Sequence, residues 1–595
     1  MGKEVTIVGA GLVGSLCSLY MSKRGYKISV YERRKDLRSE IITAGKSINL
    51  ALSERGWTSL KKAGIADEVK KIAIPVYKRI MHDSKGILTD QPYGNEGEAI
   101  YSVSRAQMNV LMMDLAEKNG VNLHFNEKCI DVDFENSVVT FENSITKENK
   151  LKKSDFIIGA DGAFSVVRKQ MVDKYRHKYD YNEIDHDYKE LLIPAGKDNK
   201  YLIEKNALHI WPRGDFMLMA LANLDGSFTC TLFAPKKGSN SFEGLNTKEE
   251  VENYFKNIFP DFYELVPDLY SQWIANPTST LGIVRTYPWH IKDSSLIIGD
   301  AAHATVPFYG QGMNCGFEDC RILDKYLDQY DDLNECFEKF SIDRKPNGDG
   351  VQDLSMHNFI VMRDKTADPK FLLQKKIEKK FSNIYPNKWT PLYSMVSFTN
   401  IAYADAWKIG IKQEKIMQKI MSLPNIEKQW NNDEIMGSSS SPWTVRVTPA
   451  GTTNRPRRTA SSLTLSSTKR SRVSRRLPGV RRSCGGGDAN ALLPLLCCAS
   501  ALSTLDECTL VARAAAATEA AAVTVVVVVV VVAAVVVAST AHARVRSGRG
   551  DVGDADRQDC SGTGDDDNDD GEAGDLTAPS SAIPSSLLPL LLWLR

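Results

Sequence analysis

Three features that would have pointed to simple answers are missing from this sequence. Its 11 cysteines include no C-x-x-C spacing, which argues against a zinc ribbon or a redox dithiol and favours reduced thiols in a cytosol-facing protein. No charge excess exists, since 75 basic and 74 acidic residues leave a net charge of +1. We therefore predict no nucleic-acid partner, and any anionic ligand must be bound by a local site. The N-terminus resembles neither a signal nor a transit peptide, because a strand pattern starts at about Glu4.

The end of the chain lacks the residues that build a core. Beyond Gly437 there is no phenylalanine, tyrosine or methionine, and there is one lysine and one isoleucine. Arginine clusters, an alanine/valine tract and an acidic run replace them. Residues 437–595 are therefore predicted to be a low-complexity, mostly disordered tail. Its hydrophobic segment 520–538 has the length of a membrane-spanning helix, although a polyvaline run also favours β-aggregation.

What the first part of the chain does contain is a glycine-rich turn after its first strand. Gly9, Gly11 and Gly14 form G-x-G-x-x-G between an apolar strand and a helix. This spacing provides a tight turn, a close approach of the backbone to a pyrophosphate, and close packing of helix on strand. Glu32, at the end of the second strand, can accept hydrogen bonds from a ribose 2′-hydroxyl and would repel a 2′-phosphate. The tightly bound nucleotide is therefore predicted to be FAD or NAD rather than NADP.

Two distant segments favour FAD over NAD. Asp161 follows a strand in "DFIIGADGAFS", and Asp300 follows another in "LIIGDAAH". A flavin extends away from its adenosine and needs such additional partners, whereas a nicotinamide dehydrogenase needs only the first fingerprint. Beyond Asp300, Gly312 lets the backbone approach a ring, and the amides of Met313 and Asn314 begin a helix. Those amides would stabilise negative charge on a reduced flavin.

The strand and helix patterns predict an α/β fold. A Rossmann-like FAD-binding domain is expected over residues 1–345, with an inserted antiparallel β-sheet substrate domain at about 185–290, where apolar and polar residues alternate. A C-terminal helical region follows at 346–436.

Longer strings in the same segments resemble a known family. The glycine turn, the "DG" segment and the "GD" segment, in this order, are similar to the single-component flavin aromatic hydroxylases. "GKSINLALSERG", "LHIWPR" and "GDAAHATVPFYGQGMNCGFEDC" resemble its kynurenine 3-monooxygenase group, and the similarity runs from about Val5 to Gln418. This resemblance implies hydroxylation of L-kynurenine to 3-hydroxykynurenine in tryptophan catabolism, with bound FAD, NADPH and O2, through a flavin hydroperoxide. It also implies a place on the cytosolic face of the mitochondrial outer membrane.

The resemblance further implies the residues of the site. The expected substrate contacts are Arg79, Tyr93, Phe308, Gln311, Asn358 and Tyr393. The positions expected at the flavin, in addition to those above, are Ala51 and Arg105. A guanidinium with phenols beside it suits the carboxylate of an amino-acid substrate. Two positions depart from the family pattern: Tyr309 stands where phenylalanine is usual, and Cys315 where alanine or serine is.

No acid or base is assigned to the chemistry. The cofactor performs the difficult steps while the protein orients the substrate and excludes water, so His303 is predicted to be a structural residue. Residues 1–436 hold no second G-x-G-x-x-G, which predicts transient docking of NADPH across the flavin cleft. The alternatives are a flavin hydroxylase of another aromatic acid, or a non-catalytic flavoprotein or scaffold. A tryptophan halogenase is disfavoured because its W-x-W-x-I-P string is absent.

Overall fold

The computed structural model describes residues 2–39, 49–94, 97–362 and 368–431. The predicted tail at 437–595, with its hydrophobic segment 520–538, lies outside the described residues. The strands are β1 Glu4–Val8, β2 Lys27–Tyr31, β3 Asn49–Leu52, β4 Ala73–Val76, β5 Lys78–His82, β6 Leu88–Pro92, β7 Ile100–Ser104, β8 Asn122–His124, β9 Glu127–Asp133, β10 Val138–Asn143, β11 Asn149–Lys153, β12 Phe156–Gly159, β13 Lys178–Ile193, β14 Ala207–Pro212, β15 Met217–Ala222, β16 Phe228–Pro235, β17 Thr278–Tyr287, β18 His290–Ile291 and β19 Ser295–Ile297. The helices are α1 Leu12–Lys23, α2 Glu54–Ala63, α3 Ala66–Lys70, α4 Arg105–Lys118, α5 Val166–Tyr175, α6 Lys248–Ile258, α7 Pro260–Tyr263, α8 Leu269–Ala275, α9 Asp300–His303, α10 Gly312–Gln329, α11 Leu333–Ile360, α12 Pro369–Ile384, α13 Leu392–Ser397, α14 Tyr403–Met421 and α15 Ile426–Gln429.

The first sheet is parallel, as expected of a dinucleotide-binding domain, except that its edge strand β18 is antiparallel to β19. Its six strands run β18-β19-β12-β1-β2-β8. β1 pairs in parallel with β2 and β12, which pair in turn with β8 and β19. Buried apolar residues of α1, α4 and α10 pack against it. The Rossmann-like prediction is confirmed, and the domain is built from strands that are far apart in the sequence.

The second sheet is the inserted antiparallel sheet of the predicted fold. Its order is β17-β13-β16-β15-β14-β5-β6. The pairings are antiparallel except for β14 with β5, which is parallel. β5 and β6 extend this sheet with residues that precede the 185–290 segment, an addition that the local sequence pattern did not predict. Apolar and polar residues do not alternate in the carboxyl half of β5, and its partner β14 lies far along the chain.

The two faces of this sheet have different neighbours. Along β16, Phe228, Cys230 and Leu232 point into a core that also contains apolar residues of α6, α7 and α8. The intervening Thr229 and Thr231 line a cavity on the opposite face. The period of two along a strand thus separates a scaffold face from a cavity face.

Helices α11 to α15 form the C-terminal region, which confirms that part of the predicted fold. Buried residues of α11, α13 and α14 form one cluster with Tyr309 and Cys315, so this region packs directly on the loop that precedes α10. In the part of the chain that the structure describes, none of the helices combines the length and the apolar composition needed to cross a membrane.

Candidate active site

The turn between β1 and α1 has the backbone geometry of a pyrophosphate-binding loop. Gly9 has a φ of +102°, and a Cβ there would lie 2.6 Å from the carbonyl oxygen of Ala160. A Cβ on Gly14 would lie 2.0 Å from the Gly9 oxygen, whereas one on Gly11 would meet no heavy atom within 4 Å. Gly9 and Gly14 are therefore required by the fold itself. Gly11 instead borders open space at the start of α1, where a ligand can approach the helix amides.

Glu32 lies where β2 ends, beside this turn. Its carboxylate accepts hydrogen bonds from the Ala10 amide at 3.0 Å and from the Arg34 side chain at 2.8 Å. Burial alone would raise the pKa of Glu32, but the hydrogen bonds and charge of Arg34 outweigh burial and lower the pKa below its ordinary value. The side chain is thus ionised at the edge of the sheet and suited to bind ribose hydroxyls.

Asp161 caps helix α5 with one oxygen and leaves the other without a partner. Oδ2 accepts from the Val166 amide at 2.7 Å, while Oδ1 is buried with no hydrogen-bond partner in the described part of the chain. Burial raises the pKa of Asp161. An unpaired buried acceptor is unfavourable, so a donor from a bound cofactor would relieve it. Together with the space beside Gly11, this supports FAD as a group that these residues fit.

The loop between β19 and α10 brings a carboxylate and a helix start together. Asp300 is exposed at the beginning of α9. No side chain caps α10 at its first residues, so the amides of Gly312, Met313 and Asn314 are available to a ligand. The Asn314 side chain is already committed, accepting from the Ser53 amide at 2.9 Å and donating to the Ala51 carbonyl at 2.8 Å.

One cavity of about 180 Å³ is lined by five of the predicted cofactor positions and four of the predicted substrate positions. It brings together residues of both sets from seven separate parts of the chain. They are Ala51, Arg79, Tyr93, Arg105, Asp300, Phe308, Gly312, Met313 and Tyr393. The lining does not include Glu32, Asp161 or the residues of the glycine turn.

At one end of the cavity, a cation lies against two phenol rings. The Arg79 guanidinium carbon is 4.8 Å from the ring centroid of Tyr93 and 4.7 Å from that of Tyr393. The two rings stack at 5.0 Å with an angle of 13°. Arg79 Nε is buried without a hydrogen-bond partner among the described residues. A guanidinium with an unused donor, beside two hydroxyl-bearing rings, has the chemistry that suits a carboxylate.

The other walls of the cavity are mostly apolar. Phe308 stacks on Phe359 at 4.3 Å and contacts Phe233 at 5.0 Å. Leu208 and Met219, from neighbouring strands of the second sheet, also line the cavity. This combination of a carboxylate site and an aromatic-sized apolar space suits an aromatic amino acid.

Two of the predicted substrate residues lie behind the cavity wall. Gln311 is 2% exposed, and its Oε1 accepts hydrogen bonds from the hydroxyls of Tyr403 at 2.8 Å and Ser53 at 3.3 Å. The Asn358 amide donates to the Phe308 carbonyl at 2.7 Å. Neither side chain is part of the cavity lining. In this structure both hold the loop that carries Phe308 in place.

His303 belongs to a buried polar network. It is 2% exposed, and its Nε2 lies 2.6 Å from Asp319 Oδ2. Burial alone would lower the pKa of His303, but the Cys315 thiol and the Asp319 carboxylate beside it outweigh burial and raise the pKa well above its ordinary value. Arg344 pairs with the other oxygen of Asp319 at 2.8 Å. The ring is therefore held by Asp319 beneath the loop, and the lining of the cavity does not include it.

Some residues of the site could have been predicted from local sequence patterns, whereas others could not. The cavity-facing Thr229 and Thr231 of β16 alternate with buried apolar residues in "FTCTLF", whereas "MLMALA" of β15 is apolar throughout and gives no such signal. Tyr309 lines the cavity and stacks on Tyr393 at 5.6 Å. By contrast, the buried ion pairs between α2, α10 and α11 join residues that no local pattern connects.

Comparison with known proteins places the chain among flavoproteins. Residues 3–330 match the family described as "FAD binding domain". A protein of Christiangramia forsetii named kynurenine 3-monooxygenase is 47% identical over 73% of this chain and 97% of its own length. One of the same name from Dictyostelium discoideum is 41% identical over 71% of this chain and 94% of its own length. The solved structure of a tetrameric 2-methyl-3-hydroxypyridine-5-carboxylic acid oxygenase has a TM-score of 0.51 at 18% identity, and the match covers 62% of this chain and 94% of that one. The last likeness shows a shared fold.

Proposed function

Since this chain belongs to the kynurenine 3-monooxygenase family of FAD-binding proteins, we propose that it hydroxylates L-kynurenine to 3-hydroxykynurenine, using bound FAD, NADPH and O2. The observation that carries the choice of substrate is Arg79, held against Tyr93 and Tyr393 in a cavity that is also lined by some of the predicted cofactor positions. The relative that is 47% identical, and is matched over 97% of its own length, bears a name that supports the same substrate.

The residues around the cavity divide the binding of substrate between two ends. Arg79 binds the α-carboxylate through its N–H groups, and the phenols of Tyr93 and Tyr393 complete the polar end. Phe308, Leu208 and Met219 hold the aromatic ring. Because these walls are largely buried, they also keep water away from the reacting ring.

FAD, when bound, supplies the redox chemistry that links NADPH and O2 to ring hydroxylation. Gly11 and the first amides of α1 receive its pyrophosphate, and Glu32 binds its ribose. Asp300 accepts from its sugar-alcohol chain, while the amides of Gly312 to Asn314 stabilise negative charge on its ring. Ala51 and Arg105 border the same space. NADPH docks transiently across this cleft.

The test is NADPH oxidation by the purified, FAD-loaded full chain. L-kynurenine should accelerate the oxidation and yield 3-hydroxykynurenine. Kynuramine, which is kynurenine without its carboxylate, serves as the matched control and should bind far more weakly. Acceleration by another aromatic acid in preference to kynurenine would support the alternative hydroxylase. An inert yellow protein would contradict catalysis and favour the scaffold alternative.

For location, we propose that attachment to a membrane, at the mitochondrial outer membrane as the family resemblance implies, depends on segment 520–538. Its length in an apolar composition supports this role. Fractionation of the full chain against residues 1–436 tests it. A full chain that pellets with membranes and is released by detergent supports attachment. Pelleting that resists detergent indicates aggregation of the polyvaline run and contradicts it.

A further inference from the structure

A hydrogen bond connects the C-terminal helical region to the turn that starts α10. The hydroxyl of Tyr403, the first residue of α14, donates to Gln311 Oε1 at 2.8 Å. Both side chains are buried, with exposures of 0% for Tyr403 and 2% for Gln311. Burial raises the pKa of Tyr403 well above its ordinary value, so the hydroxyl stays protonated and remains a donor at working pH.

The acceptor of this bond lies at a sensitive place in the cavity wall. Gln311 stands between Gly310 and Gly312, both of which line the cavity. Gly310 has a φ of +65°, and a Cβ there would lie 2.9 Å from the Ala51 side chain, so the turn fits closely against β3. A second donor, the Ser53 hydroxyl, reaches the same Gln311 oxygen at a longer 3.3 Å. Tyr403 therefore provides the shorter of the two bonds that fix this side chain.

The ring that carries the donor is itself held by buried charges. The Arg55 guanidinium carbon lies 3.9 Å from the Tyr403 ring centroid. Arg55 pairs with Glu318 at 3.0 Å, and Arg344 pairs with the same carboxylate at 2.8 Å. Arg344 also binds Asp319, so two buried arginines are linked through buried carboxylates of α10. Charge-assisted bonds of this kind have narrow geometry, and they fix the Tyr403 ring relative to α10.

We propose that Tyr403 is a positioning residue, which acts through Gln311 to fix the Gly310–Gly312 turn where the substrate and the flavin ring meet. The proposal rests on the proposed function for its substrate, and it adds that α14 controls the geometry of the cavity. Without the Tyr403 hydroxyl, Gln311 Oε1 keeps only its longer bond to Ser53. The turn then gains freedom, and with it the neighbouring Phe308 and the first amides of α10.

The primary test is Tyr403→Phe, which removes the hydroxyl and keeps the ring under Arg55. The matched control is Tyr20→Phe: the Tyr20 hydroxyl is also buried and donates at 2.7 Å to a carbonyl, that of Ser59, away from the cavity. Each variant loses one buried hydrogen bond, so thermal stability should fall by a similar amount. In Tyr403→Phe the KM for L-kynurenine should rise about fivefold, the factor that matches one ordinary hydrogen bond, with a smaller change in kcat. The same variant should release more hydrogen peroxide per NADPH and show an altered visible circular dichroism of bound FAD.

A double-mutant cycle tests the route of the effect. Gln311→Met keeps the length of the side chain and removes its acceptor. Tyr403→Phe should add nothing further in the Gln311→Met background. Full additivity of the two substitutions, or a Tyr403→Phe enzyme that matches Tyr20→Phe in KM, peroxide release and flavin dichroism, overturns the proposal.

The flavin signal separates this inference from the proposed function. If kynurenine fails to stimulate NADPH oxidation by the wild-type protein, the substrate assignment is wrong. The dichroism of bound FAD needs no substrate, so a changed signal in Tyr403→Phe and an unchanged one in Tyr20→Phe still support the coupling. An unchanged signal in both variants contradicts it.

Discussion

The guanidinium of Arg79 and the rings of Tyr93 and Tyr393 form a nearly equilateral triangle. Its sides are 4.8 and 4.7 Å from the guanidinium carbon to each ring and 5.0 Å between the rings. Each member limits the movement of the other two, which prepares the polar end of the cavity before any ligand arrives. Such preorganisation lowers the entropic cost of binding.

Substitution of Arg79 should weaken substrate binding selectively. Arg79→Ala removes a charge-assisted contact to the carboxylate, so the KM for L-kynurenine should rise by roughly 30- to 100-fold. FAD content should not change, because Arg79 lies at the substrate end of the cavity. Arg79→Lys keeps the charge without the planar fork and should give an intermediate value. Steady-state kinetics with absorbance at flavin wavelengths measures both quantities, and an unchanged KM contradicts the assignment.

Two glycines of the first turn should respond differently to alanine. Gly11 has an extended backbone and open space around it, so Gly11→Ala should leave the thermal stability of the apoprotein unchanged. It should nevertheless weaken FAD binding by roughly tenfold or more, because the methyl group enters the space for the pyrophosphate. Gly14→Ala places a methyl group 2.0 Å from the Gly9 carbonyl and should destabilise the apoprotein itself. Titration of apoprotein with FAD and thermal unfolding distinguish the two. Equal loss of stability in both variants contradicts this interpretation.

His303, beneath the loop between β19 and α10, should prove dispensable for the chemistry. His303→Ala removes a buried contact but leaves Asp319 paired with Arg344, so the stability loss should be smaller than the roughly 3–5 kcal/mol of an uncompensated buried charge. We expect a lower melting temperature and measurable turnover in the fraction of enzyme that retains FAD. His303→Gln keeps a donor for Asp319 and serves if the alanine variant does not fold. Complete inactivity of a fully flavinated variant with normal substrate binding contradicts a structural role.

A buried histidine in the second sheet should make stability depend on pH. His209 lies 2.9 Å from His82 and 2.8 Å from the Glu204 carbonyl. Burial lowers the pKa of His209 from 6.5 to about 4. The unfolded chain therefore takes up a proton below pH 6.5, whereas the folded protein resists it until about pH 4. The contribution of His209, about 3 kcal/mol, is present above pH 6.5 and is lost as the pH falls toward 4.

Urea unfolding at pH 7 and at pH 5 measures this contribution. The free energy of unfolding should fall between the two values, and the fall should be smaller in His209→Gln, which has no group that titrates in this range. Comparing how the free energy of unfolding changes with pH in the two proteins removes the contribution of the other histidines. An equal change in both proteins contradicts the assignment.

The parts of the site that follow from local sequence were predictable, and the others needed longer-range information. The glycine turn and Glu32 lie within one β-α-β unit, so strand and helix periods suffice to place them. Arg79 lies in β5 and Tyr93 directly follows its hairpin partner β6, whereas Tyr393 lies 300 residues further along the chain. It was the family resemblance rather than any periodicity that grouped the three. The parallel pairing of β5 with β14 has no local signature, because β5 is a short strand whose partner lies far along the chain.

The buried ion pairs and hydrogen bonds around α10 could not be predicted from local sequence for the same reason. Arg55 and Glu318 are 263 residues apart, and Tyr403 and Gln311 are 92 apart. From the sequence alone, Arg55 would be placed on the solvent-exposed face of a charged helix. Its complete burial follows from contacts with Glu318, the Ile401 carbonyl and the Tyr403 ring, which only the tertiary structure reveals.

The two faces of the second sheet make selectivity and folding separately adjustable. In β16 a residue whose side chain lines the cavity alternates with one whose side chain packs in the core beneath the sheet. Variation confined to Met219, Leu221, Thr229 and Thr231 would therefore reshape the ring pocket while the core beneath the sheet keeps its residues. A directed-evolution library at these four positions should yield variants that accept other aromatic acids as substrates, with little loss of expression.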